Sequence, residues 1–197
     1  MTTIYLVRHG ITAANQENRF AGRSDEELHA RGIEQIRQVG EHLRHKNVTA
    51  VYCGPARRTV QSAEILGSKL NVPVMQLAEL DEILIPHWDG LTKEEIRCKY
   101  GMEYPTWLDA PHTFRVAGCE TLKQVQNRAA GALNHLLAEN RNRAGNLLIV
   151  SHLIVLRCLV LYCTGKEISG FRAVQIDNGA IISISGDESG RLQVSTV

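Results

Sequence analysis

Paired cysteines are missing from this sequence. Its five thiols, Cys53, Cys98, Cys119, Cys158 and Cys163, are odd in number and scattered, with no Cys-x-x-Cys spacing. That argues against a secreted disulfide framework and a zinc knuckle, and predicts free thiols in a reducing cytoplasm. An excess of one charge sign is missing too: 22 basic residues face 21 acidic ones, for a net charge of +1. A dedicated nucleic-acid surface would show a basic surplus. No apolar run approaches the length of a membrane span. The opening Met1-Thr2-Thr3-Ile4 lacks the charged and apolar regions of a signal peptide. Neither nucleic acid nor a membrane is therefore an expected partner. No internal repeat or low-complexity tract interrupts the chain.

The chain does have short apolar runs bounded by polar residues and glycine. At 197 residues and 44% hydrophobic, it is long enough for one well-packed domain, residues 1–197, with an inserted cap. Ile4-Tyr5-Leu6-Val7 reads as a strand buried on both faces, Thr3–Val7, that stops at Arg8-His9-Gly10. A polar, Gly-containing loop follows. Ile33, Ile36, Val39 and Leu43 then mark one face of a helix over Ala30–His45. Val48–Cys53 is a second buried strand. Gly54-Pro55 ends it and a helix opens near Ala56, running to about Leu70. Asn71-Val72-Pro73 breaks that helix before a third, shorter strand, Val74–Leu77. Ala78–Pro111 is irregular by comparison and holds both tryptophans, three of the five prolines and a short acidic helix opened by the capping box Thr92-Lys93-Glu94-Glu95. It reads as a lid of about residues 78–120. A second capping box at Thr121 opens a long helix. Asn146–Val150 is a fourth buried strand closing on Ser151-His152, and Leu153–Cys163 is a helix apolar almost all round. Phe171–Ile176, Ala180–Ser185 and Arg191–Thr196 complete the chain, the last two joined as a hairpin by a Gly186–Gly190 turn. Alternating strand and helix predicts an α/β fold of three layers, α/β/α, around a mainly parallel sheet, with a small helical lid insertion.

Two histidines, His9 and His152, thus end two core strands, at the edge where open α/β sheets bind ligands. Arg8 adjoins the first, and Arg57-Arg58 opens a helix just past another strand. Convergent imidazoles and guanidiniums at a helix N-terminus describe an anion site, most plausibly for phosphate. A metal site would want carboxylates or thiolates nearby rather than arginines. Surrounding cations also keep an imidazole neutral, as a nucleophile or base must be. A proton donor is sought in Glu79-Leu80-Asp81-Glu82-Ile83 or His87-Trp88-Asp89, and spacing alone does not choose among these carboxyls. Arg23 and Arg115 are candidate extra cations, and His87 and His112 candidate substrate contacts. Trp88 and Trp107 read as lid core, and His29, His42, His45 and His135 as exposed or structural.

These residues resemble the histidine phosphatase superfamily, in the branch containing cofactor-dependent phosphoglycerate mutase. Arg8-His9-Gly10-Ile11-Thr12 is similar to its signature, and Asn15 fits the Asn that follows. Leu28-His29-Ala30-Arg31-Gly32 resembles its Leu-Thr-x-x-Gly helix start. Arg58-Thr59-Val60-Gln61-Ser62-Ala63 resembles its Arg-x-x-Gln-Thr-Ala helix. Glu82-Ile83 with Trp88-Asp89-Gly90-Leu91-Thr92, Gly118-Cys119-Glu120-Thr121, Val150-Ser151-His152 and Asp177-Asn178-Gly179 follow in the family's order.

The resemblance implies a metal-independent, cofactor-free phosphatase for a small phosphate monoester, with a phosphohistidine on His9. Arg8, Arg58 and His152 would hold the phosphoryl oxygens and Glu82 would serve as general acid and base. Thr12, Asn15, Gly22 and Leu153 are the further expected phosphate or substrate contacts. The acid-phosphatase branch is disfavoured because Leu153 stands where it carries Asp. Leu153 and Pro86 also replace glycines common in the family. A mutase is the alternative activity, less favoured because the resemblance implies longer chains for mutases, and a non-catalytic phosphate-ester binding module is a third reading. The expected partner is a small phosphorylated metabolite, and the terminal hairpin leaves a homodimer contact open.

Overall fold

The computed structural model describes residues 2–141, 144–186 and 192–196. Its centre is built from the apolar runs. β1 (Thr3–Arg8), β2 (Val48–Cys53), β3 (Val74–Gln76) and β4 (Asn146–Ser151) pair in parallel. β5 (Ile181–Gly186) runs antiparallel beside β1, and β6 (Leu192–Thr196) antiparallel beside β5, so the order is β3-β2-β4-β1-β5-β6. The sheet is mixed, and parallel at its centre. The predicted hairpin pairing is present; its turn beyond Gly186 lies outside the described residues.

Alternation along the strands divides the core into two layers. Tyr5, Val7, Leu148 and Val150 pack with α2 (Ala30–Leu43) and α3 (Arg57–Leu70) through Ile36, Val39, Leu43, Ala63 and Leu66. Ile4, Leu6, Leu147 and Ile149 face the other way, onto α6 (Leu122–Glu139) and α7 (Leu153–Cys163). Ile4, Leu6 and Val7 are fully buried, each contributing about 1.5–3 kcal/mol of burial free energy.

The loop after β1 holds a single turn, α1 (Ala13–Gln16). Thr12 caps it: its Oγ accepts from the Asn15 amide at 3.3 Å while Asn15 Oδ1 accepts from the Thr12 amide at 3.2 Å. His29 caps α2, its Nδ1 accepting from the Arg31 amide at 3.2 Å, so an imidazole takes the place of the usual hydroxyl or carboxylate. Between β3 and α6 lie α4 (Lys93–Lys99) and α5 (Glu103–Asp109). The sequence predicts only the first. Pro105 concealed α5, yet it sits in the first turn, where a missing N–H costs no helical hydrogen bond.

Phe171–Ile176 joins no strand. It begins in the short 3-10 segment Ile168–Ala173 and then runs unpaired to Ile176. Its carbonyls are taken by side chains instead: Arg157 Nε donates to Val174 O at 2.7 Å and Arg8 Nη1 to Ile176 O at 2.8 Å. Among the described residues no helix is long and apolar enough to cross a membrane.

Candidate active site

Sheet register brings the two histidines together. Arg8 on β1 pairs with Ser151 on β4, so His9 and His152 are the next residues out on neighbouring strands. The His9 amide donates to Ser151 O at 3.1 Å, and the two ring centroids lie 5.3 Å apart. His9 O accepts from Asn178 Nδ2 at 3.0 Å, and the same amide group donates to Asn15 Oδ1 at 3.1 Å. Gly10 has no room for a side chain: a Cβ there would lie 2.5 Å from Gly32 O, at the first turn of α2.

Hydrogen bonds fix opposite tautomers on the two rings. His9 Nδ1 lies 2.8 Å from Gly10 O. A carbonyl only accepts, so this nitrogen carries the proton and a neutral His9 has a bare Nε2. His152 Nδ1 lies 3.1 Å from Arg58 Nη2. A guanidinium only donates, so here Nδ1 is bare and Nε2 carries the proton. That Nε2–H is buried without a partner, and so are Arg8 Nε and Arg58 Nε. Asp81 Oδ1 lies 3.9 Å from the His152 Nε2, beyond hydrogen-bond reach, and buried N–H donors left unpaired are costly unless a ligand completes them.

Arg58 lies in the first turn of α3 and is 1% exposed. Its guanidinium also donates to Gly22 O and to Ser24 O. Gly22 adopts φ 45°, and a Cβ there would run into the Asp89 carboxylate. The neighbouring Arg57 points away, exposed and ion-paired to Asp25 and Glu27, because successive helical side chains diverge by about 100°.

Burial, then the charges of Arg58 and Arg8, holds the His9 imidazole well below its ordinary pKa of 6.5. Burial, then Arg58 and His9, does the same to His152. Glu82 is shifted the other way. Burial raises its carboxyl above the ordinary 4.5, against the opposing pull of the Ile83 amide, Arg58, Arg128 and Arg8. Burial thus shifts all three groups toward their neutral forms. Arg128 on α6 fastens the segment carrying that carboxyl: its Nη1 donates to Glu79 O at 2.6 Å and Asp81 O at 2.7 Å, and its Nη2 to Glu82 O at 3.1 Å. Glu120 locks Arg128 in place at 2.8 Å.

Arg8, His9, Arg58 and Glu82 line one cavity of about 480 Å³, with Asn15, Gly22 and Leu153 on its wall. His152 is fully buried and is not itself among the lining residues. Thr12 is also buried and does not line the cavity; its hydroxyl is engaged in capping α1. Arg23 and Arg115 do not line it either. Arg23 is drawn to Glu82 O, Asp81 and Glu120, and Arg115 to the carbonyls of His112 and Phe114. His87 turns to Glu103 instead, Nε2 to Oε2 at 2.6 Å, and His112 is likewise absent from the lining. Trp88 is fully buried among Phe20, Tyr104, Trp107 and Phe114, whereas Trp107 also reaches the cavity.

Arg19, Lys93, Arg157 and Arg172 also line the cavity, beyond the cations expected from the sequence. A signal existed for one of them. Arg157 is the single charge in the otherwise apolar Leu153–Cys163. Among the described residues no three His, Cys, Asp or Glu side chains come together as a metal-holding group.

Comparison with known proteins agrees with this geometry. The phosphoserine phosphatase 1 of Hydrogenobacter thermophilus is 28% identical over 188 residues, covering 95% of this chain and 88% of that protein. A probable phosphoglycerate mutase GpmB from Salmonella choleraesuis is 31% identical over 194 residues, 96% and 87% of the two chains. The solved structure of Bacillus stearothermophilus YhfR superposes with a TM-score of 0.92 at 28% identity, covering 100% of this chain and 96% of that one. The family model of the histidine phosphatase superfamily (branch 1) matches residues 4–196, and the chain belongs to that superfamily, whose members are phosphatases or mutases acting on phosphate esters.

Proposed function

We propose that this protein is a phosphatase that hydrolyses a small phosphate monoester through a phosphohistidine on His9. The observation that carries this reading is the pair of opposed tautomers. His9 offers a bare Nε2, whereas His152, its Nδ1 taken by Arg58, offers a buried Nε2–H with no hydrogen-bond partner. Nε2 of His9 attacks phosphorus and the P–O bond to the alcohol breaks. Arg8, Arg58 and the His152 Nε2–H hold the three non-bridging oxygens and stabilise the charge that spreads over them. Glu82 gives its proton to the leaving oxygen. As the resulting carboxylate it takes a proton from water, which attacks the phosphohistidine and restores both groups. Asn178 and Asn15 position His9 through its carbonyl, and Thr12 positions Asn15. Gly22 acts by holding Arg58 with its carbonyl, and Leu153 shapes the wall. The arginines supply the positive charge that a metal would bring elsewhere. Residues 78–120 form the lid, and the unpaired thiols suit a reducing cytoplasm.

The test is release of inorganic phosphate from p-nitrophenyl phosphate in excess chelator, with rapid quenching to trap an acid-labile adduct. We expect the adduct on His9, and His9→Ala to lower kcat at least about 10³-fold. Interconversion of phosphoglycerates without phosphate release would replace hydrolase by mutase. Turnover with no adduct would overturn the covalent route.

A further inference from the structure

The cavity carries more positive charge than a phosphoryl group requires. Arg157 and Arg172 line it together with Arg8 and Arg58, and among the described residues none of the four forms an ion pair with a carboxylate. Arg157 is 8% exposed. Its Nε holds Val174 O, and its Cζ lies 5.1 Å from the Phe171 ring centroid. Arg172 spends one bond on Trp107 O, sits over the Phe171 ring at 6.0 Å and the Trp107 ring at 5.8 Å, and has a buried Nε with no partner. Asp109 acts on Arg172, and Glu82 on Arg157, only beyond ion-pair distance. The first cause of the lowered Arg157 guanidinium pKa, to about 10, is burial, followed by Arg172 and Arg8. The like charges are therefore close enough to repel.

A purely structural arginine this deep would be expected beside a carboxylate, because an unpaired buried charge is costly. Two that share one aromatic ring, each keeping N–H groups free, instead make a preorganised fork for an oxyanion. We infer that Arg157 and Arg172 form a second anion subsite, so that the preferred phosphate esters carry a further anionic group, a carboxylate or second phosphate, on the part of the molecule that leaves. This rests on the phosphatase reading for its account of which group is cleaved.

The experiment uses matched straight-chain alkyl phosphates of about three to six carbons, ending in methyl, carboxylate or phosphate. At the best length the charged ends should raise kcat/KM at least about tenfold over methyl, the gain expected of a charge-assisted hydrogen bond. The ratio between the charged ends tells carboxylate from phosphate. Arg172→Met and, separately, Arg157→Lys should shrink the charged-over-methyl ratio, to about twofold or less in Arg172→Met. Arg157→Lys keeps a cation for Val174 O, which guards against a folding defect. The same esters are titrated calorimetrically onto His9→Ala. If the parent protein hydrolyses none of the esters but charged ends still bind His9→Ala more tightly, the hydrolase reading fails and the subsite survives. Equal rates and affinities for all three ends, or a ratio untouched by both substitutions, would overturn the subsite.

Discussion

Burial acts on His9 and Glu82 with one rule, favouring the neutral form of each, and so produces a base from one and an acid from the other. A rate dependence follows. Activity should fall in acid only below pH 6.5, where the depressed His9 finally protonates, and fall again as pH climbs through the raised Glu82 value, which lies above the ordinary 4.5. A profile of kcat/KM for an alkyl phosphate checks both limbs, and an acid limb at or above 6.5 contradicts the burial argument. Stability should respond with opposite signs in two windows. His9 and His152 bind fewer protons folded than unfolded, so their contribution is present above 6.5 and drains away as pH falls below it. The raised Glu82 contributes fully below 4.5 and loses that contribution as pH climbs through its folded value. The parent's urea midpoint should therefore fall as pH drops from neutral into acid, and fall less when both histidines are replaced by Ala. Glu82→Gln should slow alkyl esters about 10²–10³-fold and nitrophenyl esters less than about tenfold, because only the alkoxide needs a proton. Equal slowing of both would remove the acid role.

At the scale of elements, the donors come from strand ends and helix starts, whereas Glu82 comes from an irregular segment that holds no strand or α-helix of its own. That segment is held by Arg128 from α6, through the carbonyls of Glu79, Asp81 and Glu82. Arg128 touches no reacting atom and is a positioning residue. Arg128→Met should reproduce the leaving-group pattern of Glu82→Gln in milder form, about tenfold on alkyl esters, with Arg128→Lys recovering part of it. A uniform loss across leaving groups would mark it as merely structural. The capping boxes of α4 and α6 were legible because a hydroxyl and a Glu or Gln three residues apart satisfy each other's backbone locally. Phe171–Ile176 was not, because the groups that take its carbonyls, Arg157 and Arg8, are far away in sequence.

Across the whole molecule, net charge hides the field that a substrate meets. The chain sums to +1, yet among the described residues six cationic side chains line the cavity with one carboxyl group, Glu82. Walls of low dielectric focus such a field outward. We expect kcat/KM for a dianionic ester to drop about three- to tenfold between about 20 and 200 mM salt, with kcat little changed, since screening acts on encounter. A salt-independent kcat/KM would show that binding is not steered.

The strands, the principal helices and the histidines at two strand ends were readable from the sequence, because apolar periodicity, caps and the first charge after a buried run are local facts. Arg58 could be singled out from Arg57 there only through the family motif. Three things needed the folded chain. Register between β1 and β4 decided that His9 and His152 meet. A hydrogen bond to Gly10 O and another from Arg58 decided which nitrogen of each ring is bare. Packing against Phe171 decided that Arg157 and Arg172, rather than Arg23 and Arg115, complete the cavity. Each depends on contacts between residues distant along the chain, and spacing in a single sequence carries no record of such contacts.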